Sequence, residues 1–170
     1  MSLTHTTSRP DRAGRARGSR PLTEEPPASL EATQAALAAE HAAVYGYGVV
    51  GSLVDEKHAG RASEAHAAHR ARRDALERTV RQLGAAPVAA AVAYQLPFPV
   101  ADGATALRLA ARLESRLAGA YADLVAATAG EERRSAASAL REAAVRAVRW
   151  GGDGVPFPGL PEYADSGGDR

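Results

Sequence analysis

Four Ala/Leu-rich segments carry the three- and four-residue spacing of amphipathic helices, yet the faces that ought to be apolar hold Glu40, His69, Arg72, Arg73 and Glu114. Charge on a core stripe costs several kcal/mol unless it is paired or ligated. These residues therefore mark either a buried ion network or a site inside a helical bundle.

The composition supports helices. Hydrophobic residues make up 45% of the chain but aromatics only 5%, with Ala, Leu and Val dominant. That balance suits helices packed closely through small side chains and does not suit a β-sandwich. A chain of 170 residues is long enough for one sizeable core. The absence of cysteine excludes disulfides, zinc-thiolate sites, Fe–S clusters and thiol nucleophiles. A net charge of +1 provides no field to recruit nucleic acid or an anionic membrane. No apolar run approaches the ~18 residues of a membrane span. The arginine-bearing N-terminus is followed by no apolar stretch of the secretory kind. The expectation is a cytoplasmic protein with no membrane or nucleic-acid partner.

Residues 1–27 are polar and punctuated by Gly and Pro, with little to bury, and read as a disordered tail. The bundle is expected over 28–163, followed by a disordered 164–170. Ser29 is the expected N-cap of a first helix from Leu30 to about Val54. The second helix is predicted over about Arg61–Leu83 and stops at Gly84. The third runs from an Asp102 cap to about Thr128, and the fourth from about Glu131 to Trp150. Val155 to Pro161 cannot be helical but is apolar, so an extended tail against the bundle is expected as far as about Tyr163.

The links set the topology. Short connections near Asp55–Gly60 and Ala129–Gly130 make two antiparallel hairpins. The second link, from Ala85 to Val100, is long and apolar where a hairpin needs only a few residues. A crossover along the bundle explains both properties, and two hairpins so joined form a ferritin-like four-helix bundle.

On helical wheels, Leu30, Thr33, Leu37, Val44, Gly48 and Gly51 share the inner face of helix one, and Glu40, His41 and Tyr47 fall within about 60° of its centre. On helix two the stripe is Ala62, Ala65, His69, Leu76, Val80 and Leu83, flanked by Arg72 and Arg73, with His66 at the edge. Helix three places Glu114 among Ala110, Leu113, Leu117, Tyr121 and Leu124. Helix four offers Ala136, Ala137, Leu140, Ala143, Ala144 and Ala147, with no well-placed acid or histidine.

That last absence bears on chemistry. A di-iron centre in such a bundle takes one Glu from each of two helices and a Glu-x-x-His pair from each of the others. Glu40 and Glu114 fill the single-acid positions, but Glu64 is followed at i+3 by Ala67, and helix four has no such pair. Three readings remain. In the first, Arg72 or Arg73 forks to Glu40 and Glu114, with His69 and Tyr121 completing the hydrogen bonds and no cofactor. In the second, Glu40, His69 and Glu114, with His66 in reach, hold a single Fe, Mn or Zn ion in an oxidoreductase or metal-binding protein. The third is a small-molecule pocket.

Gly46, Gly48 and Gly51 each cost a helix about 1 kcal/mol against Ala, which close approach of a neighbouring helix, the crossover or a second subunit would offset. Asp55-x-x-His58 has metal-like spacing but no partners. A homodimer is the expected assembly.

The run Glu40-His41-Ala42-Ala43-Val44-Tyr45-Gly46-Tyr47-Gly48 resembles the first-helix signature of a bacterial ferritin-like family of unknown function. So do His69-Arg70-Ala71-Arg72-Arg73-Asp74, Ala93-Tyr94-Gln95-Leu96-Pro97, Leu113-Glu114 with Ala120-Tyr121-Ala122, and Phe157-Pro158-Gly159-Leu160-Pro161-Glu162. The resemblance spans about residues 30 to 162. It implies a ferritin-like four-helix bundle, usually without the full di-iron ligand set, and it does not imply a known activity.

Overall fold

In the computed structural model, residues 27–151 are described and form four helices: α1 (Ala28–Leu53), α2 (Glu56–Gln82), α3 (Gly103–Ala127) and α4 (Gly130–Arg149). The segments expected to be disordered, and the expected extended tail, lie outside the described residues apart from Pro27.

Local chemistry explains most helix ends. Asp102 caps α3 by accepting from Thr105 N, while the Thr105 hydroxyl receives the Asp102 N–H, closing a reciprocal capping box. Gly84 stands at φ +79° just past the end of α2, where Ala85 N reaches back to Val80 O. Two starts differ from expectation. Pro27, not Ser29, is the N-cap of α1, since its fixed φ leads directly into the first turn. Helix α2 begins at Glu56 because Asp55 accepts from both the backbone N and the ring Nδ1 of His58. The Asp55-x-x-His58 spacing is therefore a cap.

Helices α1 and α3 form the central antiparallel pair, with α2 packed on α1 and α4 packed on α3. Backbones of α2 and α4 do not pack closely. The crossover from Leu83 to Asp102 runs the length of α1. Gln34 bonds both Ala86 O and Val88 N, His41 Nε2 meets Val88 O at 3.1 Å, and the Tyr45 and Tyr94 rings lie 5.4 Å apart. Its second half packs the half-buried Leu96, Phe98 and Val100 against the bundle, whereas Val92 in its first half is fully exposed. Apolarity along the crossover thus marks packing only after Tyr94.

The core falls into two clusters. One gathers Ala36, Ala43, Leu117, Tyr121, Leu124 and Ala143; the other gathers Tyr47, Val50, Ala62, Leu109, Ala110 and Trp150. Each fully buried leucine contributes about 1.5–3 kcal/mol. The inner face of α1 is rotated from the expected one: Gly46 and Tyr47 are buried, while Gly48 and Gly51 are exposed. Only Gly46 meets a neighbouring helix, since a Cβ there would stand 2.5 Å from Leu113 Cδ1.

Candidate functional site: a buried Glu–His–Glu–Arg cluster

Glu40 on α1, His69 on α2 and Glu114 on α3 are all 0% exposed. His69 Nδ1 stands 2.8 Å from Glu40 Oε2, and its Nε2 stands 3.1 Å from Glu114 Oε1. The imidazole thus bridges two carboxylates and is stacked on the Tyr47 ring at 5.0 Å. Burial alone would lower the His69 pKa, but the hydrogen bonds and charges of Glu114 and Glu40 outweigh it and hold it above the ordinary histidine value. If both nitrogens donate to ionised carboxylates, the ring is an imidazolium.

Two tyrosines each donate to a carboxylate by exchange between the central helices. Tyr121 on α3 donates to Glu40 Oε1 at 2.5 Å, and Tyr47 on α1 donates to Glu114 Oε1 at 2.7 Å. The exchange follows from a pattern repeated in both helices, Glu40-x6-Tyr47 and Glu114-x6-Tyr121. Seven residues bring a side chain back to nearly the same face two turns on, so antiparallel packing sets each Tyr opposite the other helix's Glu. Burial, then the charge of the partner carboxylate, pushes both phenol pKa values far up, so both remain donors.

Helix α4 supplies the fourth charge. Arg146 Nε donates to Glu114 Oε1 at 2.9 Å. The inner face of α4, expected to hold no well-placed acid or histidine, contributes an arginine instead, with the half-exposed Glu142 one turn before it. Trp150, at the end of α4, donates its indole N–H to the Tyr47 hydroxyl at 2.8 Å. A continuous chain of bonds runs from Trp150 through Tyr47, Glu114, His69 and Glu40 to Tyr121.

Arg72 and Arg73 do not occupy the positions expected of them. Arg72 pairs with Glu142, which also has Arg146 Nη1 at 3.7 Å. Arg73 turns outward to its neighbour Asp74, at 2.7 Å. Neither touches Glu40 or Glu114, because the α2 stripe points His69 inward and carries the next turn past the carboxylates toward α4. Glu142 is held below the usual carboxylate range: its partial burial acts to raise it, but the bond and charge of Arg72 prevail. His66 is half-buried one turn from His69 and makes no hydrogen bond to the cluster.

The arrangement bears on metal binding. Both His69 nitrogens are directed at carboxylates, and Arg146 brings a fixed positive charge to Glu114. Among the described residues no three His, Asp or Glu side chains surround a common point as metal ligands do. The Glu-x-x-His pairs of a di-iron centre are absent from α2 and α4. Three buried polar atoms have no hydrogen-bond partner among the described residues: Glu114 Oε2, Arg146 Nη2 and Arg72 Nη1.

Sequence reasoning missed Arg146, Glu142, Tyr47 and Trp150 as parts of this assembly. The signal for the first was present. Ala136, Ala139, Ala143, Arg146 and Trp150 follow one another at spacings of three and four, which places Arg146 on the inner face of α4.

Known proteins fit this picture. A crystal structure of a conserved hypothetical protein, rv2844, from Mycobacterium tuberculosis superposes with a TM-score of 0.71 at 39% identity, covering 73% of this chain and 95% of that one. No curated protein matches the chain. Residues 32–162 match a family described as a domain of unknown function, DUF4439. Four helices, the crossover and the buried cluster all lie within or overlap that span, and the chain belongs to the DUF4439 family.

Proposed function

We propose that this protein is a non-catalytic bundle of the ferritin-like type, in which the place of a metal centre is taken by an internally neutralised network that sets helix register. The observation that carries the reading is the bridging of Glu40 and Glu114 by both nitrogens of His69. A ring that donates from both nitrogens has no lone pair for a metal. Together His69 and Arg146 balance the two carboxylates, so no further cation is needed. Partners come from all four helices, and a shift of one helix by a residue would break several bonds at once. A homodimer through the outer face of α4 is supported by Val145 and Val148, which are 43% and 51% exposed.

The alternative is a mononuclear Fe, Mn or Zn site at Glu40, His69 and Glu114. One observation favours it, the buried and unpartnered Glu114 Oε2. Elemental analysis of protein expressed with added iron, manganese or zinc separates the two. The network reading expects no stoichiometric metal. Near-stoichiometric metal that is lost in Glu114→Ala would overturn it.

A further inference from the structure

Because α2 and α4 do not pack on one another, a half-open cleft of about 470 Å³ separates them, with Tyr121 of α3 in its wall. That volume falls in the range of small-molecule sites. We propose that this cleft binds a small amphipathic molecule with a neutral head group that presents a carbonyl acceptor, such as an amide, and an apolar body. The proposal goes beyond the network reading and does not depend on it.

Three features define the ligand. At one end lies Arg72, whose Nη2 is held by Glu142 and whose Nη1 is screened from solvent without an acceptor among the described residues. An unpaired buried donor of this kind is costly, and an acceptor arriving in the cleft relieves the cost after a rotation of the guanidinium alone. Among the polar residues of the lining, an apolar strip receives the body: Leu76 on one wall, Leu124 below, Ala136 and Ala139 opposite. Small residues on α4 leave the space that larger ones would fill. The hydroxyls of Thr33, Thr79 and Thr128, which also line it, spend their protons on carbonyls of their own helices, so they offer a ligand no donor.

Charge narrows the head group. Glu142, Glu131 and Glu132 line the same cleft, with Glu142 balanced by Arg72 and Glu131 by Arg134. Glu132 has no counterion among the described residues, so a phosphate or a carboxylate meets net repulsion there, whereas a neutral carbonyl does not. A donor-only ammonium finds no acceptor at Arg72.

The test is calorimetric titration of the full chain with octanoate, octanamide and octylamine. Octanamide should bind at least about tenfold more tightly than octanoate or octylamine. Arg72→Met should remove that preference. Ser135→Trp, an exposed change on the α4 wall of the cleft, should abolish binding of every probe while the helical signal is retained. Equal or higher affinity for octanoate or octylamine, binding unchanged by Ser135→Trp, or no heat from octanamide at its solubility limit would overturn the proposal.

Discussion

Arg146 Nε lies 2.9 Å from Glu114 Oε1, joining α4 to a carboxylate that is completely buried on α3. The same oxygen accepts from Tyr47 and His69, so one atom gathers donors from three other helices. Of these donors Arg146 is the permanent cation. Its guanidinium side chain is 16% exposed, which makes the pair costly to break and of small net benefit relative to an apolar replacement of both members.

Arg146→Leu is accordingly expected to lower stability by about 3–5 kcal/mol, since it leaves a buried carboxylate short of a countercharge. Arg73→Leu removes only a surface pair with Asp74 and should stay within about 0.5 kcal/mol of the parent protein. Denaturant unfolding followed by circular dichroism measures both. A large loss for Arg73→Leu beside a small one for Arg146→Leu would show the cluster to be wired differently.

The pH dependence has a defined sign. His69 is held above its ordinary value in the folded chain, so its stabilising contribution is complete below about pH 6.5 and disappears as pH rises through the folded value. The stability difference between the parent protein and His69→Gln should therefore be largest in mild acid and shrink toward alkaline pH. Unfolding free energies of the pair across pH 5.5 to 9.5, both approximate limits, check this. A difference that grows with pH would indicate a neutral His69.

The glycines of α1 should respond differently from one another. Nothing lies within 4 Å of a Cβ built at Gly48 or Gly51, so Ala at either position should stabilise the helix by about 0.5–1 kcal/mol. Gly46→Ala must displace the end of Leu113, only 2.5 Å from the new carbon, and should gain less or lose stability. Thermal unfolding of the three single variants ranks them.

The fold was legible because its signals are redundant: helix spacing, the Asp102 cap, the Gly84 stop and an over-long second link all agree. The cluster was legible in part. Glu40, His69 and Glu114 stand out as ionisable groups on apolar stripes, and they do meet. Arg146 escaped notice because the many alanines of α4 support more than one inner face on a wheel, and a rotation of that face hides the arginine. Choosing between Arg72 and Arg73 failed for another reason: both flank His69, and the partner of Arg72, Glu142, becomes visible only when α4 is in place. Tyr47 falls inside the inner face of α1 on a wheel, but the wheel alone gives its hydroxyl no partner, and centring the face on Gly48 and Gly51 obscures it. The repeated Glu-x6-Tyr spacing in α1 and α3 was the available guide to it.

The protonation state of His69 tests the network most directly. Nitrogen-resolved NMR of protein carrying ¹⁵N-labelled histidine, recorded near neutral pH and in full-length chain, distinguishes an imidazolium from either neutral tautomer. The network account predicts two protonated ring nitrogens at His69, with both signals lost in His69→Gln. A single protonated nitrogen, or a nitrogen shifted by a bound metal, would contradict it.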